Sequence, residues 1–242
     1  MKLRHLLEDT LTGWHITADD RQFEQLEKYA DLLAETNKVM NLTAITDAEG
    51  IAEKHFLDSL ALAAAADLTG VRTVIDVGTG AGFPGIPLKI LFPHLEVTLA
   101  DSLAKRVGFL QRVIDEIMLT DITAVHGRAE DLARKPEYRE KFDLAVSRAV
   151  AKLSVLSEYC LPFVREGGLF AAYKASESGA EIKDAEYAVE VLGGRIEDTA
   201  DLTFGPSPLS RTFCLIRKKK ATPAVYPRKA GTPEKKPLEK KK

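Results

Sequence analysis

The spacing of apolar residues predicts helices in the first part of the chain and a sheet in the rest. Two segments place apolar residues every three or four positions, as an amphipathic helix does. The first predicted helix is capped by Asp19 or Asp20 and runs to about Lys38, and the second runs from Asp47 to the break at Gly70. We expect these two helices to form an extension ahead of the main domain.

From Thr73 onward, short apolar strands alternate with helices, which is typical of a parallel sheet with helices on both faces. The predicted strands are 73–78, 96–100, 122–126, 142–147, 168–174, 195–203 and 211–218, and the predicted helices are 85–92, 103–119, 151–163 and 178–192. No long helix separates the last two strands, so the last one should pair antiparallel. The expected fold class is α/β: a Rossmann-like, doubly wound, seven-stranded and mostly parallel sheet with an antiparallel last strand, preceded by a helical extension.

The distribution of charge adds a third region. The chain of 242 residues carries a net charge of -2, but from Arg217 onward eleven Lys and Arg stand against two Glu, so that this end carries +9 and the rest -11. We therefore divide the chain into a helical extension at 1–70, a sheet domain at 71–220 and a basic, proline-rich tail at 221–242. Such a tail favours a polyanionic partner or serves only to keep the chain soluble.

Several classes of protein are disfavoured. The longest apolar stretch, Leu60 to Ala66, is far shorter than the roughly 20 residues that span a membrane. The N-terminus lacks the features of a secretory signal, so we expect a soluble, cytoplasmic protein. Cys160 and Cys214 are too far apart for a metal knuckle and the five histidines are scattered, so no metal is expected. A monomer is the default oligomeric state.

The segment VIDVGTGAGFPGIPL at 74–88 is a strand, a glycine-rich turn and the start of a helix. This arrangement predicts a nucleotide-type binding site at the carboxyl end of the first strand. Gly78, Gly80 and Gly82 permit positive φ and leave room for a ligand close to the backbone. The next strand ends in Asp101, at the spacing where a carboxylate binds ribose hydroxyls. Alternatively, Asp101 only caps the helix that follows.

The same loop distinguishes between possible ligands. A dinucleotide fingerprint requires a third glycine where this chain has Phe83 followed by Pro84, and no P-loop sequence is present. Asp76, just before the glycines, would suit a ligand's ammonium group and repel a phosphate. S-adenosylmethionine carries an ammonium, a sulfonium and a ribose with two free hydroxyls, and it has no phosphate. The residues therefore favour S-adenosylmethionine, and the alternative is a turn that merely connects strand and helix.

Beyond the loop, the chain resembles the bacterial small-subunit ribosomal RNA methyltransferase G family, also called glucose-inhibited division protein B. The resemblance extends over nearly the whole chain. The matching segments are NLTAIT (41–46), EKHFLDSL (53–60), DVGTGAGFPGIPL (76–88), DSLAKRVGFL (101–110), GRAED (127–131), SRAVA (147–151), Lys174 and YPRKAGTPEKKPL (226–238). One departure is Thr36, where relatives more often carry Trp; it affects the expected packing and leaves the chemistry unchanged.

The resemblance implies transfer of a methyl group from S-adenosylmethionine to N7 of one guanosine in 16S ribosomal RNA (guanosine 527 in the usual numbering). The product of the cofactor is S-adenosylhomocysteine, and the RNA substrate belongs to the small ribosomal subunit or to an assembly intermediate. The resemblance further implies cofactor contacts at Gly78, Phe83, Ala129, Glu130 and Arg148.

The residues agree with attack by a ring nitrogen. N7 of guanine carries a lone pair and no proton, so no general base is required. The Asn/Asp-Pro-Pro-Tyr-type motif of exocyclic-amine methyltransferases is absent from the sequence. Cys160 is followed by Leu161 and lacks the proline that usually accompanies a nucleophilic cysteine, which disfavours methylation of a pyrimidine carbon.

Other residues are candidates for contact with the acceptor. Arg148, Ser147 and His55 are candidates for positioning the target base. His55 shares a helix face with Ser59, which belongs either to a lid over the site or to a solvated surface. Candidates for contact with RNA phosphates are Lys105, Arg106, Lys174, Arg211, Arg228 and Lys229. Two other functions stay open from sequence: a small-molecule methyltransferase and a non-catalytic RNA-binding assembly factor.

Overall fold

The computed structural model describes residues 2–148 and 150–240; Ala149 of the SRAVA segment and Lys241 and Lys242 of the tail lie outside this part. Within it, seven strands form one sheet. The strands are β1 (Thr73–Val77), β2 (Glu96–Asp101), β3 (Ile122–His126), β4 (Phe142–Arg148), β5 (Val164–Ala175), β6 (Gly194–Phe204) and β7 (Leu209–Lys218). The helices are α1 (Lys2–Gly13), α2 (Asp20–Met40), α3 (Ala48–Ile51), a π-helix (Ala52–Leu57), α4 (Asp58–Leu60), α5 (Leu62–Ala65), α6 (Gly85–Leu91), α7 (Ala104–Glu116), α8 (Ala129–Leu132), α9 (Leu153–Cys160), a 3-10 turn (Leu161–Phe163), α10 (Gly179–Val191) and α11 (Thr232–Lys235).

The strands lie in the order β3-β2-β1-β4-β5-β7-β6. The first five pair in parallel, and β7 runs antiparallel to both β5 and β6. The predicted doubly wound, mostly parallel sheet with an antiparallel last strand is therefore confirmed. The chain builds outward from β1 to β3 and then returns to β4, so a crevice opens at the carboxyl ends of β1 and β4. The largest difference in a strand boundary is at β5, which begins at Val164, ahead of the predicted 168; a register shift between Phe142 and Leu144 of β4 lets Val164 pair ahead of the regular ladder that starts at Leu169.

Two features of the N-terminal region differ from the sequence prediction. Helix α1 was not predicted, although Leu3, Leu7 and Leu11 recur every four residues and are buried. The second predicted helix is not regular, because a π-helical segment (Ala52–Leu57) interrupts it and it ends at Ala65. Segments of this kind widen the helix and often accompany functional sites.

The N-terminal helices share a hydrophobic core with the sheet. Leu26 and Phe56 of the helices belong to the same buried cluster as Val74 and Leu99 of the two central strands. The opposite face of the sheet packs against α9 and α10 in a second cluster. Thr36 is buried in α2, and its hydroxyl has no hydrogen-bond partner among the described residues. The extension is thus held on one face of the sheet by continuous apolar packing.

The tail is packed on the sheet domain over 221–240. The main-chain N–H and guanidinium of Arg228 donate to both carboxylate oxygens of Glu158, at 2.6 to 3.1 Å, and Glu158 is fully buried in α9. The Thr222 hydroxyl donates to the carbonyl of Leu192, and Arg139 donates to the carbonyls of Thr222 and Tyr226. These contacts hold the tail against α9 and the sheet domain.

Removal of the Glu158 charge should destabilise the docked tail. Glu158→Gln is expected to lower the free energy of unfolding by about 2 to 4 kcal/mol, because it leaves the Arg228 guanidinium without its anion in a mostly buried site. The matched control is Glu197→Gln, which removes a surface carboxylate that pairs with Arg217 and Lys219 and should cost less than about 1 kcal/mol. Urea denaturation followed by circular dichroism measures both. Equal losses in the two variants would contradict a structural role for the docked tail.

Candidate active site

A cavity of about 490 Å³ opens at the carboxyl ends of the central strands, where the strand order reverses. Its volume lies in the range of small-molecule sites. Loops after β1 and β3, the ends of β2 and β4, and residues of the extension all contribute to its wall. The sequence-predicted residues that line it are His55, Gly78, Gly80, Phe83, Asp101, Arg106, Ala129, Glu130 and Arg148.

The glycines after β1 leave the wall of the cavity open. Gly78 and Gly80 have φ of 73° and 63°, the left-handed region that favours glycine. A Cβ at Gly80 would meet no atom within 4 Å, whereas one at Gly78 would lie 2.7 Å from the Val150 side chain, which also lines the cavity. A ligand can therefore lie directly on this backbone.

Asp76 organises the glycine loop from below and does not line the cavity. Its side chain is fully buried, and one carboxylate oxygen accepts hydrogen bonds from the Thr79 hydroxyl at 2.7 Å and the Gly85 N–H at 2.8 Å. The other oxygen has no partner among the described residues. Burial raises the pKa of Asp76 to about 6, and the two hydrogen bonds oppose this shift. Gly82, the third glycine, also lies outside the cavity lining.

Asp101 joins the glycine loop to the next strand. Its Oδ2 accepts the N–H of Gly80 at 2.9 Å and its Oδ1 accepts the N–H of Leu103, the residue that precedes α7, at 2.9 Å. Arg106 approaches Oδ2 at 3.4 Å. A carboxylate offers about four acceptor positions, so ligand hydroxyls can still bind. Leu103 is the N-cap residue of α7 and no side chain caps this helix, so the alternative that Asp101 only caps it is wrong.

A buried ion cluster lies at the opposite side of the cavity. Arg148, at the end of β4, donates to Asp58 at 2.7 Å and to the carbonyl of Lys54 at 3.0 Å. Asp58 is fully buried and also accepts two hydrogen bonds from Arg211 of β7, at 2.6 and 3.1 Å. One carboxylate therefore neutralises part of the charge of two arginines and connects the extension to two strands.

His55 is fixed between these groups. Its ring stacks on Phe83, with centroids 4.4 Å apart and an angle of 15° between planes, and the Arg148 guanidinium lies over the same Phe83 ring at 5.2 Å. Its Nδ1 lies 3.3 Å from Arg148 and its Nε2 lies 2.8 Å from the Thr43 hydroxyl. Because arginine is always a donor, Nδ1 accepts and the proton lies on Nε2. Burial and then the Arg148 charge lower the pKa of His55 to about 4, against the opposing effect of Asp58.

The helix face that includes His55 and Ser59 is buried, so the solvated-surface alternative is wrong. Ser59 is fully buried, and its hydroxyl donates to the carbonyl of His55 at 2.5 Å. Ser147 is also fully buried and does not line the cavity; its hydroxyl donates to the carbonyl of Val77, a lining residue, at 2.7 Å, which ties β4 to β1.

The predicted RNA contacts fall into two groups. Lys174 and Arg228 form ion pairs with glutamates, at 2.6 Å in each case, and Arg211 belongs to the buried cluster around Asp58. Lys105 and Lys229 are exposed, and the partly exposed Arg106 lies at the cavity.

Several cavity residues were missed by sequence reasoning. Leu42 and Thr43 belong to the NLTAIT loop, and the Asn37 amide bonds both the N–H and the carbonyl of Thr43, at 2.9 and 2.8 Å. The resemblance of this segment to the family pointed to a functional role, but it did not indicate that the segment contacts the cavity. Arg128 and Tyr159 also line the cavity; the pattern around Tyr159 is that of an ordinary packed helix.

The described residues contain no cluster of three or more His, Cys, Asp or Glu that could hold a metal ion. Cys160 and Cys214 are buried free thiols. No helix in the same part of the chain is long and apolar enough to cross a membrane.

Protonation of His55 should destabilise the fold at acid pH. Its pKa is about 4 when folded against about 6.5 when unfolded, so the unfolded chain binds more protons between these values. The contribution of His55 to stability is complete above pH 6.5 and is lost as the pH falls toward 4. We compare the free energy of unfolding of the unsubstituted chain with that of His55→Gln. The difference between the two should fall by about 2 kcal/mol when the pH is lowered from 7 to 4.5.

Urea denaturation of both chains at the two pH values measures this difference. Asp76, whose pKa is raised to about 6, has the opposite pH dependence, but it is present in both chains and cancels in the comparison. A difference that does not change with pH would show that the folded chain accommodates protonated His55.

Solved structures share the fold at low sequence identity. TYW2 from M. jannaschii, solved in complex with AdoMet, aligns with a TM-score of 0.55 at 15% identity over 72% of this chain and 79% of that one. TrmN from Thermus thermophilus aligns with a TM-score of 0.51 at 19% identity, over 66% of this chain and 48% of that one. These similarities show that the fold is that of Rossmann-like methyltransferases.

Sequence relatives are much closer. The Ribosomal RNA small subunit methyltransferase G of Lachnoclostridium phytofermentans is 52% identical over 91% of each chain. The protein of the same name from Alkaliphilus oremlandii is 48% identical over 98% of this chain and 100% of its own length. The family model described as rRNA small subunit methyltransferase G matches residues 22–203. The chain therefore belongs to the rRNA small subunit methyltransferase G family.

Proposed function

We propose that this protein transfers a methyl group from S-adenosylmethionine to N7 of one guanosine in 16S ribosomal RNA. One observation carries the proposal. In the crevice at the strand ends, the N–H of Gly80 in the open glycine loop donates to the buried carboxylate of Asp101. The names of the relatives support RNA of the small subunit as the acceptor.

The cavity residues fit S-adenosylmethionine better than a dinucleotide. Asp101 would accept the ribose hydroxyls, and the main chain at Gly78 and Gly80 leaves space for the adjoining atoms. Ala129 and Glu130 line the cavity beyond Asp101, on the β3 side, where the remaining part of the nucleoside would lie. Phe83 places a buried ring before the start of α6, where a pyrophosphate would otherwise approach the helix N-terminus.

Catalysis on this proposal depends mainly on alignment. S-adenosylmethionine supplies a methyl group on a positively charged sulfur, and guanine N7 attacks it without losing a proton. Arg148, His55 and Phe83 are held by ion pairing and stacking, so the wall that faces the reacting groups is fixed before they bind. Such preorganisation can contribute on the order of 7 to 11 kcal/mol to lowering a barrier. Neutral His55 also adds no further positive charge beside a reacting centre that already carries one.

Recognition of the RNA is assigned to groups whose charges are available. Lys105 and Lys229 are exposed, and Arg106, at the cavity, is partly exposed and only loosely paired with Asp101 at 3.4 Å, so we propose these three as contacts to RNA phosphates. Lys174, Arg211 and Arg228 are paired with carboxylates, so we assign them to holding the structure that carries the site. The substrate would be the small ribosomal subunit or an assembly intermediate.

The proposal is tested by incubating the protein with methyl-labelled S-adenosylmethionine and undermethylated small ribosomal subunits, then digesting the RNA to nucleosides. Label is expected in 7-methylguanosine. Label in another nucleoside would refute the N7 assignment. The absence of transfer to RNA or to subunits would refute the reaction, and transfer to a small molecule alone would favour a small-molecule methyltransferase.

Asp101→Asn should separate cofactor binding from RNA binding. The amide removes the negative charge and places N–H donors where ligand hydroxyls and main-chain N–H groups require acceptors. We expect the Kd for S-adenosylhomocysteine to rise at least about tenfold, with affinity for small subunits unchanged within about twofold. The matched control is Asp115→Asn, on the exposed side of α7, where the Asp115 carboxylate accepts a hydrogen bond from the Gln111 amide. Equal losses of both affinities would refute the ribose assignment.

A further inference from the structure

Tyr29 of α2 reaches from the extension to the glycine loop. Its side chain is fully buried, and its hydroxyl donates a hydrogen bond of 2.5 Å to the carbonyl of Ala81. Burial raises the pKa of Tyr29 well above its ordinary value, so the hydroxyl keeps its proton and acts as a donor. The contact joins two segments that are far apart in the sequence.

Gly82 makes room for this tyrosine. Its φ is 106°, and a Cβ there would lie 2.8 Å from the Tyr29 hydroxyl oxygen and 2.5 Å from the Ile86 side chain. Gly82 does not line the cavity, in contrast to Gly78 and Gly80. The third glycine of the loop therefore accommodates the extension, whereas the first two leave the cavity open.

The aromatic ring of Tyr29 also supports the next residue of the loop. Its centroid lies 5.3 Å from that of Phe83, with an angle of 32° between planes. Phe83 lines the cavity and carries the His55 ring on its surface. Residues 81–83 are thus held by the extension through one hydrogen bond and one ring contact.

The other anchors of the loop hold different atoms. Asp76 and Asp101 accept main-chain N–H groups of Gly85 and Gly80, so they fix the loop at positions on either side of Ala81. The Ala81 carbonyl depends on Tyr29. A buried carbonyl that loses its donor carries a desolvation penalty, which the loop can relieve by turning that carbonyl toward water.

We propose that Tyr29 is a positioning residue that raises affinity for the methyl donor by holding residues 81–83 in the binding-competent arrangement before the ligand arrives. The proposal rests on the proposed function, because it concerns the same cavity and the same ligand. An apparent Kd equals the intrinsic Kd divided by the competent fraction, so any population of a displaced loop weakens binding in proportion.

The test uses Tyr29→Phe in the full chain, which keeps the ring and removes only the hydroxyl. The Kd for S-adenosylhomocysteine, measured by titration calorimetry, should rise about three- to tenfold. Amide hydrogen exchange of the loop at 79–83 should be faster in the free variant and should return toward the unsubstituted rate at saturating ligand. The matched control is Thr222→Val, which likewise removes a buried hydroxyl bonded to a carbonyl, that of Leu192; neither residue lines the cavity.

The outcomes separate this proposal from the function on which it rests. Equal affinities of Tyr29→Phe and the unsubstituted chain, or an equal loss in Thr222→Val, would overturn the positioning role. Unchanged loop exchange in Tyr29→Phe would overturn it as well, and this readout does not depend on the identity of the ligand. Failure of the unsubstituted chain to bind S-adenosylhomocysteine would overturn the cofactor assignment together with this proposal.

Discussion

The ion cluster around Asp58 is the interaction on which the arrangement of the cavity depends. A fully buried carboxylate is unfavourable unless positive partners and hydrogen bonds compensate for its lost hydration. Asp58 meets this requirement with the guanidinium groups of Arg148 and Arg211, which come from two different strands. The cluster therefore connects the extension to β4 and β7, and with these contacts made Arg148 lies over Phe83 at the cavity wall.

The π-helical segment lies directly before Asp58 in the chain. A regular helix over 47–70 is what the apolar spacing predicts, but the observed helix widens over Ala52–Leu57 and the Asp58 N–H donates to Glu53, five residues back. The Ser59 hydroxyl supplies a donor to the carbonyl of His55. The same segment presents the His55 ring to Phe83 and the Asp58 carboxylate to the arginines, so local irregularity accompanies the placement of both groups.

Buried carboxylates recur as anchors around the cavity. Asp76 and Asp101 accept main-chain N–H groups of the glycine loop, Glu130 accepts the N–H of Gly231 at 2.8 Å, and Glu158 holds Arg228. Hydrogen bonds to charged acceptors are stronger than neutral ones, so loops with little apolar surface can be ordered in this way. Glu130 also lines the cavity, which places the docked tail one hydrogen bond away from the ligand-binding wall.

The sequence by itself determined the sheet, the glycine loop and the spacing to Asp101, because these features depend on short-range periodicity and on glycine's access to positive φ. It also indicated the family, through segments spread along the chain. Only the tertiary structure decided which polar residues meet. Asp76 lies under the loop and Gly82 faces Tyr29. Arg211 forms an ion pair with Asp58, 153 residues away in the sequence. Pairing over such distances is set by the packing of the extension on the sheet, and neither local propensity nor residue type specifies it.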